Sequence, residues 1–180
     1  MQFESMKAIE ASAVVARREG KRLSRMRLLK LLYIAERELA KVAARRLIND
    51  KLVALDNGPL HSTVYDMIKG VSTSSKHWSK YFTNVNARDV QLSKEPELHT
   101  LSKLEVETLH QVTDDFSSMD DWAISNYTHT FPEWKSSHTQ GSSCKIRYSE
   151  MLDAVGRGHE IIDDMKEDHA FTIFFEQEII

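Results

Sequence analysis

The sequence predicts an α+β fold, a predominantly helical single domain over residues 1–180 with a small antiparallel β element. Three observations predict it. Apolar residues recur at three- and four-residue spacing through several stretches, which is the pattern of helices with one face on a core. Short β-type runs near 52–56 and 84–92 stand beside turn-forming residues. Three prolines and six glycines leave little room for a linker, and 41% hydrophobic with 28% charged residues suits a chain that buries a core.

Residues 3–18 read as a helix with Met6, Ile9, Ala13 and Ala16 on one stripe, ended by Gly20. Basic residues around Lys21 form the connection, and Ser24 is placed to cap the next helix. That helix, 25–47, is the strongest. Leu28, Leu31, Leu32, Ala35, Leu39, Val42 and Ala43 form its core stripe, with Arg27, Lys30, Arg37 and Lys41 expected largely off it. Asn49-Asp50 breaks the pattern. Residues 52–55 read as a strand and Asn57-Gly58-Pro59 as a turn, because Gly58 tolerates positive φ and Pro59 fixes its own. His61 or Ser62 starts a helix with Val64, Tyr65 and Ile68 inward, and Gly70 stops it.

A polar loop over 72–75 leads to Trp78, Tyr81 and Phe82, which read as a helical turn on the core. Val85 and Val90-Gln91-Leu92 suggest a hairpin. Ser102 with Glu105 is a capping box for a helix whose stripe is Leu101, Leu104, Leu109, Val112 and Phe116. Ser118 opens another, with Asp120 and Asp121 in the first turn, where the helix dipole favours carboxylates. Trp122, Ile124, Ser125 and Thr128 follow, and Pro132 closes it. Residues 133–145 read as a loop. Met151, Leu152 and Val155 belong to a short helix broken at Gly156, and an acidic helix over 160–168 and an apolar run over 170–175 complete the chain.

Composition excludes some chemistries. Cys144 is the only cysteine, which removes intrachain disulfides and multi-cysteine zinc sites. No apolar run approaches the ~20 residues of a membrane helix, and the first residues lack a basic region followed by an apolar stretch, so a cytoplasmic location is expected. No cofactor or metal is expected. His159-Glu160 is not followed by a second histidine four residues on, no phosphate-binding glycine loop is present, and only a spatial meeting of His129, His138 and Cys144 stays open. Enzymatic activity is not expected. The one alternative of that class is a hydrolase using His129 with Glu133, against a reading in which His129 caps a helix while Phe131 and Trp134 anchor a loop.

The net charge of -3 hides an asymmetry. Over 17–46 only Glu19, Glu36 and Glu38 oppose the arginines and lysines, whereas 153–180 is acidic apart from Arg157 and Lys166. A nucleic-acid-binding face of Arg17, Arg18, Lys21, Arg22, Arg25 and Arg27 is therefore a further alternative. Against it, helix 25–47 is long for a recognition helix and its stripe reads as buried. The remaining reading is that the basic and acidic regions are solvated or face each other.

Four pieces, in order, resemble the Panacea domain of SocA-like antitoxins, also seen in phage-associated and mobile-element proteins. The first is Lys-Leu-Leu-Tyr-Ile-Ala-Glu-Arg, ending in Tyr33, Glu36 and Arg37; the second is Asn57-Gly58-Pro59 with Val64-Tyr65-Asp66. The third is Leu101-Ser102 with Glu105, and the fourth is Ser125, Thr128-His129, Pro132 and Trp134. They span 24–155. Leu60 stands where the family has valine, 47–50 departs from the family's turn, and 77–99 carries no matching motif. The resemblance implies an antitoxin that neutralises a cognate toxin by direct protein binding. One branch of the family is similar to a proteolytic adaptor that delivers its toxin to a ClpXP-type protease. Arg37, Tyr65, His129, Phe131 and Trp134 are the expected toxin contacts, since arginine and aromatic side chains dominate interface energetics.

Overall fold

The computed structural model describes residues 3–158; the expectations for His159, the 160–168 helix and the 170–175 run lie outside them. The first helix, α1 (Ser5–Arg18), is buried continuously from Ala8 to Ala16, more than a single stripe requires. Its alanines allow close approach, and its buried Glu10 accepts the amides of His99, Thr100 and Leu101 at 3.1, 2.9 and 3.3 Å. After Gly20 the expected connection pairs as a strand, β1 (Arg22–Ser24), before α2 (Arg25–Ala43) begins with Ser24 accepting the Arg27 amide at 3.0 Å.

The two ends of α2 differ from the expectation. Ala44 adopts a left-handed conformation (φ 50) and stops the helix, so Leu47 and Ile48 are buried outside it. Val42, expected in the core stripe, is 57% exposed. Arg27 and Lys30, expected off the stripe, are buried. The reason is that α2 is enclosed on several sides: α1, and later α5 (Lys103–Asp115), α6 (Asp121–Thr128) and strand β3 (Gly58–His61), all pack on it.

Two three-stranded antiparallel sheets complete the fold, with orders β3-β2-β6 and β1-β5-β4. In the first, β2 (Leu52–Leu55) forms a hairpin with β3, with Leu55 opposite Gly58 and Leu52 opposite His61. Asp56 and Asn57 alone make the turn, so Gly58 and Pro59 start a strand rather than form the turn itself. Helix α3 (Ser62–Lys69) follows, buries Val64, Met67 and Ile68, and ends at Gly70; Tyr65 is half-buried. The carboxylate of Asp50 caps it by accepting the Thr63 and Val64 amides at 2.8 and 3.0 Å.

A short α4 (Ser75–Trp78) carries Trp78 against Phe82, with ring centroids 4.1 Å apart. The expected hairpin is β4 (Phe82–Asn84) with β5 (Asp89–Leu92), and β1 pairs on its other side, Leu23 opposite Val90. The capping box of α5 forms as the sequence predicts, although Leu104 of its stripe is 40% exposed. Helix α6 is capped by Asp120 rather than by Ser118. Pro132 starts α7 (Pro132–Ser137) instead of only ending α6, because a proline at the first helical position has no amide to satisfy. The 133–145 stretch therefore holds most of α7 and the start of β6 (Cys144–Ile146), which adds to β2 with Leu52 opposite Ile146. Helix α8 (Tyr148–Ala154) closes the described chain.

Candidate functional site

Tyr33, Glu36 and Arg37 lie three and four positions apart on α2 and so share a face. Glu36 is buried. Its Oε2 accepts the amides of Leu47 and Ile48 at 3.1 and 2.8 Å and lies 3.3 Å from His61 Nε2, which pins the segment after α2 and the end of β3 to the helix. Arg37 Nε donates to Glu133 at 3.1 Å and Tyr33 Oη reaches the same oxygen at 3.4 Å. Phe131 is buried beneath them, with the Arg37 guanidinium 4.4 Å over its ring and Tyr33 stacked at 6.2 Å. Burial, then the Glu133 charge, holds the Tyr33 phenol well above its ordinary range.

A second cluster surrounds the hairpin tip. Ser125 Oγ donates to the Asn57 carbonyl at 2.8 Å and Trp134 Nε1 to the Leu55 carbonyl at 3.0 Å, so α6 and α7 grip the turn. The Trp134 ring is stacked between His129 at 4.2 Å and His138 at 4.4 Å. His138 Nε2 and the Gly141 amide both contact Asp56, and these contacts hold its carboxyl below the usual range. Burial, then the nearby Lys30 charge, lowers the pKa of His129. Gly58, at φ +93, is required here. A Cβ would meet Thr128 Oγ1 at 2.5 Å and Lys30 Nζ at 3.0 Å.

An open cleft of about 1270 Å³ adjoins this cluster, bounded by the start of α2, the hairpin tip, α3 and the start of α6. Lys30 lines it while being only 2% exposed, and Nζ donates to the Pro59 carbonyl at 2.8 Å. Burial pushes this amine down to about 7. Tyr65, Arg25 and the 63% exposed Trp122 share the wall, with Asp56, Asp120 and Asp121.

Of the residues expected to contact a toxin, Tyr65 alone lines the cleft. Arg37 and Phe131 belong to the first cluster, and His129 and Trp134 to the hairpin grip. Asp66 ends α3, its carbonyl accepting the Val71 amide at 3.1 Å. Lys30, Arg25 and Trp122 were not singled out as contacts by sequence reasoning. A signal existed for Lys30, which lies between two leucine pairs and precedes Tyr33, Ile34 and Arg37 at helical spacing.

A family model for the SocA-like antitoxin, Panacea domain matches residues 28–135, well over half of the chain. The chain belongs to the Panacea antitoxin family. The match covers every helix and strand of both clusters except the part beyond α7 and the first turn of α2. No curated protein and no solved structure matches the chain. The Panacea assignment gives the protein an antitoxin-type role, with a toxin as the kind of partner.

The geometry also bears on the alternatives. Glu133, the carboxylate considered for a hydrolase, engages Arg37 and Tyr33. Arg17, Arg18, Lys21, Arg22 and Arg27 pair with Glu95, Asp114, Glu95, Asp89 and Glu19, so most of the basic face is neutralised by acidic groups elsewhere in the fold. Among the described residues, no three His, Cys, Asp or Glu converge as a metal site, and no helix is long and apolar enough to cross a membrane.

Proposed function

We propose that this protein neutralises a cognate toxin by direct protein–protein contact in the cytoplasm, without catalysis. The observation that carries the reading is the Panacea match over 28–135, whose residues build both clusters and most of the cleft between α2, α3 and α6. Tyr65 supplies a half-exposed aromatic contact on that wall. Arg37, Phe131, His129 and Trp134 contribute to toxin binding by fixing the hairpin and α6, which limits the ordering cost on association.

Co-expression with the product of the adjacent gene tests the reading. Growth is expected to be arrested by that product alone and restored by this protein, with the two recovered as an intact complex. A harmless product, or arrest that persists with both present, removes the proposal. Toxin that disappears only in cells with an active ClpXP-type protease transfers the role to proteolytic delivery.

A further inference from the structure

Resting on the toxin-binding reading and deepening it, we propose that the Lys30 cleft seats a carboxylate side chain of the toxin, with a neighbouring apolar toxin residue laid against Met26, Leu29 and Trp122. Two donors on α2 lack acceptors. Lys30 Nζ has three N–H groups and gives one to the Pro59 carbonyl. Arg25 Nε is buried without any acceptor, although Nη2 reaches the Asn86 carbonyl at 3.3 Å. Neither cation has an ion pair among the described residues. Buried donors left unmet cost free energy in the empty protein, and a carboxylate supplies both the missing lone pairs and the opposite charge.

The rim selects among anions. Asp56, Asp120 and Asp121 line the same cleft. A nucleic acid, charged at every step, brings repeated like-charge contacts to these carboxylates. A polypeptide presents one carboxylate flanked by neutral residues and avoids them. The apolar flank is present as well, since Trp122 is 63% exposed beside Met26 and Leu29, and tryptophan is among the strongest interface anchors.

Seating a carboxylate on Lys30 has a pH signature. The free amine releases its proton near pH 7, and a bound carboxylate retains it. The other charged groups facing the cleft are Arg25, Lys69, Arg88 and the three aspartates, with His129 behind Gly58; His129 is already neutral above its lowered pKa.

The test uses the full-length protein and the purified toxin identified by co-expression, with affinity measured by calorimetry at pH 7, 8 and 9. Wild-type affinity is expected to fall as pH rises, by up to about tenfold per unit. Lys30→Met is expected to weaken binding at pH 7 by about 30-fold and to flatten the pH profile. Trp122→Ala, at an exposed position, is expected to weaken binding about tenfold and leave the profile and the melting temperature unchanged. A Lys30→Met protein with wild-type affinity and profile overturns the inference. If that variant fails to fold, wild-type affinity in Trp122→Ala overturns it. So does a short DNA duplex that displaces the toxin in a Trp122-dependent way. A complex indifferent to both substitutions sinks this inference alone, whereas no complex at any pH sinks the direct-binding reading with it.

Discussion

Two charged side chains six residues apart on α2 are buried to the same degree and treated in opposite ways. Glu36 has two backbone amides and a histidine on one oxygen. Lys30 has a single carbonyl and a cleft beside it. A buried charge surrounded by fixed donors from three segments acts as a staple, because losing it strands every donor at once. A buried charge with unmet bonding capacity beside open space is instead suited to a ligand. The same helix thus carries a structural end and an end left available for contact.

The comparison breaks most readily at the staple. Glu36→Ala is expected to cost about 3–5 kcal/mol, through the stranded Leu47 and Ile48 amides and the cavity left behind, read as a lower urea midpoint. A loss under about 1 kcal/mol would mean that the charge does not hold the segment after α2.

Lys30 sharpens the other half. Its folded pKa of about 7 lies below the ordinary 10.5, so between these values the unfolded chain holds a proton that the folded chain has released. Stability therefore rises with pH through that window, by up to about 1.4 kcal/mol per unit, and falls as pH drops toward 7. Denaturant titrations of wild type and Lys30→Met should diverge by that slope, with the increment absent in the variant. Parallel curves would show that the amine is not desolvated in solution.

Gly58→Ala probes the wall between the two regions. At φ +93 and with Thr128 Oγ1 at 2.5 Å from the new Cβ, it is expected to cost about 2 kcal/mol. Gly70→Ala shares the positive φ but has open space, so it should cost less, about 1 kcal/mol. The smallest effect is expected at Trp122→Ala, within about 0.5 kcal/mol of wild type by thermal melting, since the ring is a surface group.

Much of the scaffold was legible in the sequence because it is encoded locally. The Ser102–Glu105 capping box, the 82–92 hairpin and the start of α2 at Ser24 depend on residues within a few positions of one another. What escaped depends on distant partners. Strand β3 is Gly-Pro-Leu-His, and only pairing with β2 makes a strand of residues that spell a turn. Strand β6 is three residues long and exists because β2 offers an edge. Leu47 and Ile48 continue a helical spacing, yet Ala44 turns the chain and Glu36 receives them.

The site was legible in its family spelling and not in its geometry. Thr128, His129, Pro132 and Trp134 mark the motif, while their packing around the hairpin tip depends on contacts some 70 to 80 positions away. Arg27 and Lys30 read as solvent-facing because charge usually is. The Glu19 carboxylate and the Phe116 and Met119 carbonyls that bury Arg27, like the Pro59 carbonyl that meets Lys30, are supplied by tertiary structure.

The three tryptophans occupy three different settings. Trp78 is sealed against Phe82, Trp134 lies between two imidazoles, and Trp122 stands in water at the cleft edge. An indole in water emits at longer wavelength and is reached by soluble quenchers, whereas enclosed indoles are shielded. The long-wavelength part of the intrinsic fluorescence therefore comes from Trp122. Any partner that covers the cleft should shift that emission to the blue and protect it from acrylamide, which gives an optical readout of occupancy without an added dye.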